Sequence, residues 1–143
     1  MQGDDGDEEL AARLRVAVTR LNRRLRQETV VGLSPSQVTT LGSISRLGQP
    51  TLGELSQAEQ LQPPTMTRLV AGLESAGLVV RRADAGDRRV CRVELTGRGR
   101  ATLERVRTLK TAFVARQLAR LSPEDRVAAA RLTDLLERLA EQA

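Results

Sequence analysis

The chain has 143 residues, 40 % of them apolar and 29 % charged, a size and balance that suit one globular domain. It contains no His, one Cys, one Phe and no Trp or Tyr. Neither a Ser-His-Asp or Cys-His constellation nor a His/Cys zinc site can be assembled from this set, and one Cys forms no internal disulfide.

The net charge is +5, although five acids (Asp4, Asp5, Asp7, Glu8, Glu9) crowd the first nine residues. Setting those aside doubles the positive balance of the rest. A basic folded body usually meets nucleic acid or another polyanion. The acidic start is no signal peptide, and no apolar run approaches the roughly 20 residues of a membrane span. The expectation is a cytoplasmic protein with no cofactor, no metal and no membrane partner. Residues 1–7 read as a disordered acidic tail.

In chain order, Leu10, Leu14, Val18, Leu21 and Leu25 recur at steps of four and three, predicting an amphipathic helix from Glu8 to about Glu28. Ser34, Pro35 and Gln37 form a capping-box start with Pro at the first helical position. The helix they open carries Val38, Leu41 and Ile44 and closes at Gly48 and Pro50. Thr51 and Glu54 repeat the box spacing for a short helix to about residue 59, which buries Leu52 and Leu55. Pro63 and Pro64 open a fourth helix with Met66, Leu69, Val70, Leu73 and Ala76 on one face and Gly77 as its C′ residue. Its opposite face holds Pro64, Thr67, Arg68, Ala71 and Ser75.

Residues 78–82 and 90–95 read as two strands around a turn at 83–87. Cys91, Val93 and Leu95 share the apolar side of the second. Cys91 therefore reads as a buried cysteine, with a reactive thiol among arginines as the other reading. Thr96 caps a long helix to about Arg120 bearing Leu103, Val106, Leu109, Phe113, Val114 and Leu118. Ser122 and Pro123 start the last helix, with Leu132, Leu135, Leu136 and Leu139.

The fold class is thus mainly α, an α+β winged helix-turn-helix of about six helices with a two-stranded wing. It divides as 34–96 for the winged region and 8–33 and 97–143 for helices whose Leu-rich faces exceed what this core can cover. In a helix-turn-helix the second helix enters the major groove with its N-terminal part toward the bases. Arg68 suits a guanine edge. Thr65 and Thr67 suit a phosphate or a thymine methyl, and Gln62 an adenine or a phosphate. The helix starts at Ser34 and Thr51 are caps first and phosphate contacts second. Arg88 and Arg89 at the hairpin tip suit the adjacent minor groove, where negative potential is focused. Asp87 is placed to pair with a neighbouring arginine and hold the tip in shape.

The run DRRVCRVELTGRG resembles the signature of the MarR (multiple antibiotic resistance regulator) family, through Asp87, Arg89, Val93, Leu95, Thr96 and Gly99. The motif stretch covers about 51–99, and the order of helices fits from about 8 to 142. The resemblance implies a homodimer in which the first, fifth and sixth helices interleave with those of a second subunit. It also implies a transcriptional regulator, usually a repressor, bound to double-stranded DNA at a pseudo-palindromic operator. In some members a small effector enters a cleft between the dimerisation and DNA-binding parts and releases the DNA. The alternative is an architectural DNA binder without sequence preference. An enzyme would have to work with carboxylates and arginines alone.

Overall fold

The computed structural model describes residues 4–29 and 31–141. Six helices and one two-stranded sheet follow in the order α1 (Asp4–Gln27), α2 (Pro35–Leu47), α3 (Leu52–Glu59), α4 (Pro63–Ser75), β1 (Val79–Ala83), β2 (Cys91–Leu95), α5 (Gly97–Leu118) and α6 (Pro123–Glu141). Among the described residues no helix is long and apolar enough to cross a membrane.

The helix starts are built by their caps. Ser34 Oγ accepts from the Gln37 amide at 3.2 Å while Gln37 Oε1 accepts from the Ser34 amide at 2.9 Å. Thr51 and Glu54 make the same reciprocal pair at 3.1 and 2.8 Å. Each box satisfies two amides that a helix start leaves unpaired. One boundary departs from the sequence expectation. Helix α1 begins at Asp4, not Glu8, so residues 4–7 are helical and not a disordered tail, while residues 1–3 lie outside the described residues. Acidic residues such as Asp7 complement the positive end of the helix dipole. A run that reads as solvated tail therefore also makes a good first turn.

The core sits in the winged region. Leu41 and Ile44 of α2, Leu55 of α3, Met66, Val70 and Leu73 of α4, and Val93 of β2 are fully buried. Leu78, Val79 and Leu95 at the base of the ribbon and Leu103 of α5 close the cluster. The strands are antiparallel, with Val79 opposite Leu95 and Ala83 opposite Cys91. A third strand exists only as one bridge between Thr51 and Arg92, beside a bond from the Val93 amide to the Pro50 carbonyl at 2.8 Å.

Helix α4 ends in a Schellman arrangement. Gly77 takes φ +72°, and the Leu78 amide reaches back to the Leu73 carbonyl at 3.0 Å. The chain then passes from ribbon to α5 through a tight joint. The Thr96 amide donates to the Leu78 carbonyl at 3.0 Å, and Thr96 Oγ1 donates to the Gly77 carbonyl at 2.7 Å. The same hydroxyl accepts from the Gly99 amide at 3.0 Å, capping α5. Gly99 lies so close to this joint that a Cβ there would stand 1.9 Å from the Leu78 carbonyl oxygen.

The terminal helices differ from this core. Helix α6 buries no residue, and Val127, Leu132, Leu135 and Leu139 are exposed on it. Leu10, Val18 and Leu21 are exposed on α1.

Gly99→Ala is expected to cost about 1–3 kcal/mol or more, because a backbone carbonyl cannot step aside for the methyl. Gly42→Ala, in mid-α2 where an added Cβ meets nothing within 4 Å, is expected to gain roughly 0.5–1 kcal/mol. Urea unfolding of the two variants beside the parent checks both signs.

Candidate nucleic-acid interface

Helix α4 turns toward solvent the residues expected to read DNA. Gln62 is its N-cap, but its side chain makes no capping bond, so the carboxamide is uncommitted. Pro63 and Pro64 occupy the first turn, where no amide is needed. Thr65 and Arg68 are exposed, and among the described residues Arg68 enters no ion pair. Neither Asp84 nor Glu59 is paired with it. Asp84 is held by Arg92 instead, and Glu59 accepts from Thr40 Oγ1 at 3.0 Å.

Thr67 is exposed, but its hydroxyl donates to the Pro63 carbonyl at 2.9 Å. Its proton is therefore not free for a phosphate, while its methyl and lone pairs remain. Ser75 shares the outer face of Pro64 yet lies eleven residues on, about 16 Å along the axis. It belongs to the far end of α4, beside Glu74, which pairs with Arg81 at 3.2 Å. Ser34 and Thr51 both spend their hydroxyls on caps. At Thr51 the returning carboxylate of Glu54 already occupies the helix start, whereas the neutral Gln37 leaves the start of α2 open to an anion.

The wing tip is an ordered turn. The Val90 amide donates to the Asp87 carbonyl at 2.9 Å, which puts Arg88 and Arg89 at its two central positions. Asp87 holds Arg89 with both carboxylate oxygens, from Nε and Nη2 at 3.1 Å each, and also accepts the Arg89 amide at 3.0 Å. The expected pairing of Asp87 is thus present. Arg89 stays 91 % exposed despite it, and Arg88 has no ionic partner among the described residues. Cys91, in contrast, is exposed, not buried. Its parity with Val93 and Leu95 is correct, but the ribbon has passed the edge of the core by residue 91.

Sequence reasoning missed what holds the wing. Asp84 Oδ2 accepts from the Gly86 and Asp87 amides at 2.9 and 3.1 Å, closing the first half of the loop, and its other oxygen takes Arg92 Nε. The signal available was Asp84 two residues before a Gly, the pattern of an Asx turn. The Arg92 guanidinium, followed by the two loop amides, lowers the Asp84 pKa, and the Arg89 guanidinium and amide lower that of Asp87.

A separate cavity of about 320 Å³ lies between α1, α2 and α5. Its wall includes Asn22, Arg26, Thr29, Leu33, Val38 and Lys110. Phe113, the one aromatic residue, is buried elsewhere with the Arg116 guanidinium 5.9 Å from its ring centre.

Comparison with known proteins supports the fold and gives the family. Residues 33–91 match the model of the MarR family. An HTH-type transcriptional regulator of Mycobacterium tuberculosis is 32 % identical over 139 residues, covering 96 % of this chain and 97 % of that protein. The HTH-type transcriptional repressor MdtR of Bacillus subtilis is 31 % identical over 110 residues, 77 % of this chain and 71 % of MdtR. Among solved structures, a MarR family protein of Bacillus stearothermophilus superposes with a TM-score of 0.82 at 29 % identity, covering 97 % of this chain and 98 % of that one. A MepR mutant of Staphylococcus aureus bound to an oligodeoxyribonucleotide superposes with a TM-score of 0.72 at 25 % identity, covering 91 % and 97 %.

Both wing aspartates are depressed below the ordinary value of 3.8. Their contribution to loop order is therefore complete above that value and is lost as pH falls through their lower folded values. The amide proton resonances of Gly86, Asp87 and Arg89 are expected to stay constant above about pH 5 and to titrate with midpoints below 3.8, readable by NMR.

The chain belongs to the MarR family of DNA-binding transcriptional regulators.

Proposed function

We propose that this regulator binds a pseudo-palindromic operator as a homodimer, reads it sequence-specifically and acts in the cytoplasm as a repressor. One observation carries the reading. Uncommitted base-reading groups on α4 (Gln62, Thr65, Arg68) and an arginine tip ordered by Asp87 project from one winged body. Arg68 donates to a guanine in the major groove, the Thr67 methyl packs against a thymine, and Arg88 and Arg89 enter the neighbouring minor groove. A backbone phosphate meets the start of α2 at Ser34.

The homodimer is supported by the exposed aliphatic faces of α1 and α6, which two copies would cover. The repressor reading follows the name of MdtR. The cavity at Arg26 and Lys110 suits an effector that is a small organic anion. Two cations and the Asn22 carboxamide meet the charge, and Leu33 and Val38 meet an apolar body. An effector there would touch α1, α2 and α5 together and so bias the docking of the winged region on the terminal helices.

Selection from a randomised duplex pool is expected to return paired half-sites about one helical turn apart. On the selected duplex, Arg68→Ala should cost about 1–3 kcal/mol and relax preference at one base position. Arg88→Ala should lower the salt slope by about 1, as a cation lost from the contact with DNA. Equal retention of random and selected DNA by the parent would mean an architectural binder instead.

Aromatic and aliphatic carboxylates screened for release of the bound duplex are expected to give hits whose effect is lost in Arg26→Gln. Hits that keep their full effect in that variant would place the effector elsewhere.

A further inference from the structure

The ribbon that carries the arginine tip has a like-charge problem. Arg82 and Arg92 stand directly opposite each other on β1 and β2. Opposed like charges weaken a strand pair. Each guanidinium turns instead to a carboxylate on the diagonal: Arg92 Nε donates to Asp84, and Arg82 Nε donates to Glu94. Both ion pairs then reach the same residue outside the ribbon. Arg92 Nη1 donates to the Gln49 carbonyl at 3.0 Å, and Gln49 Nε2 donates to Glu94 Oε2 at 2.9 Å. Glu54 of α3 adds a third carboxylate, 3.7 Å from Arg92 Nη1.

Gln49 is itself held firmly. It lies in the α2–α3 connection between Gly48, whose φ is +84°, and Pro50, which is buried. Beyond Val93 the outer ribbon has no buried side chain, since Ala83, Arg88, Arg89 and Cys91 are all exposed. A cleft of about 460 Å³, lined by Leu47, Gln49, Arg82, Asp84, Arg92 and Glu94, separates the wing from the end of α2. The direction of the outer wing is therefore set by polar ties across a cleft and not by packing. An isolated two-stranded ribbon is at best marginally rigid in water.

We propose that Gln49 and Arg92 are positioning residues for DNA recognition: they fix the wing tip at Arg88 and Arg89 relative to Arg68 of α4, and so set base preference in the flanking minor groove without touching DNA. The proposal rests on the sequence-specific reading above. Arginine suits position 92 because its planar fork presents Nε to Asp84 and Nη1 to the Gln49 carbonyl in one fixed geometry, whereas an ammonium offers its donors from a single flexible point. The Arg92–Asp84 pair is part-buried and the Arg82–Glu94 pair more exposed, and ion pairs at a surface contribute only modestly to stability. Cutting the tie frees the tip while leaving the fold.

The test uses the whole chain and a randomised duplex pool. The positions whose preference disappears in Arg89→Ala and in Arg68→Ala are first mapped for the parent. Arg92→Met and Gln49→Ala are expected to melt with the parent, to keep the Arg68 position, and to lose about tenfold in preference at the Arg89 positions. The salt slope of Arg92→Met on the selected duplex should equal that of the parent. Arg92→Lys should recover only part of the lost preference.

Unchanged preference at the Arg89 positions would overturn the proposal. So would a salt slope lowered by about 1, which would make Arg92 a phosphate contact. A lower melting temperature with equal loss at every position would reduce Arg92 to a structural role and overturn it as well. If the parent selects no sequence at all, the underlying reading fails first, and the two failures are told apart at that step.

Discussion

The rest of the molecule depends on the contact between Gly99 and the Leu78 carbonyl. Around it, four residues end one helix, begin a strand and start another helix. Gly77 supplies the left-handed turn that stops α4. Leu78 returns its amide to α4 and offers its carbonyl to Thr96. Thr96 then caps α5 with the hydroxyl that also bonds Gly77. Two glycines are required here for different physical reasons. Gly77 needs a backbone angle that side chains disfavour, and Gly99 needs the space a Cβ would fill. The result is that α4, the base of the ribbon and α5 move as one body.

Outward from that joint, control passes from packing to charge. The inner ribbon is pinned by Val79, Val93 and Leu95 in the core. Its outer half is ordered by three carboxylates: Asp84 on the loop amides and Arg92, Glu94 on Arg82, and Asp87 on Arg89. Ion pairs that are at most part-buried add only modest free energy, so their main use is directional. The arrangement leaves the tip cationic while removing most of its conformational freedom, which lowers the entropy that ordering it on DNA would cost.

The parts of this design that were legible in the sequence are the local ones. Both capping boxes, the Schellman end of α4 and the cap at Thr96 appear where Ser34, Thr51, Gly77 and Thr96 predict them, because each depends on residues no more than five apart. The Asp87–Arg89 pair was legible for the same reason. What failed needed depth or long range. Alternation assigned Cys91 the correct side of β2 but carries no information on where the core ends. Helical periodicity gave Thr67 its face but not the direction of its hydroxyl, which the Pro63 carbonyl one turn back captures. The acids at the start were read by polarity alone, without the helix dipole that accommodates them. The bond from Arg92 to Gln49 joins residues 43 apart and has no sequence signature.

The same contrast separates the two halves of the chain. The winged region completes its core with Leu103 of α5, whereas the stripe of α1 that periodicity marks as an inner face has Leu10, Val18 and Leu21 exposed. On α6, Leu132, Leu135 and Leu139 fall within an arc of roughly 60° and are exposed as well. Single exposed leucines are ordinary, but aligned ones on two helices form a surface that water opposes. In the proposed homodimer a second copy would cover such a surface, and α5 would link it to the DNA-reading helix. Helix α5 meets α1 through Arg116 and Glu28, 3.3 Å apart, and ends against Leu78 at Gly99. A shift of the terminal helices along α5 arrives at a joint with no slack for a methyl group. It would therefore be passed to α4 and the ribbon together, and in the proposed homodimer the terminal helices would set the spacing of the two recognition helices.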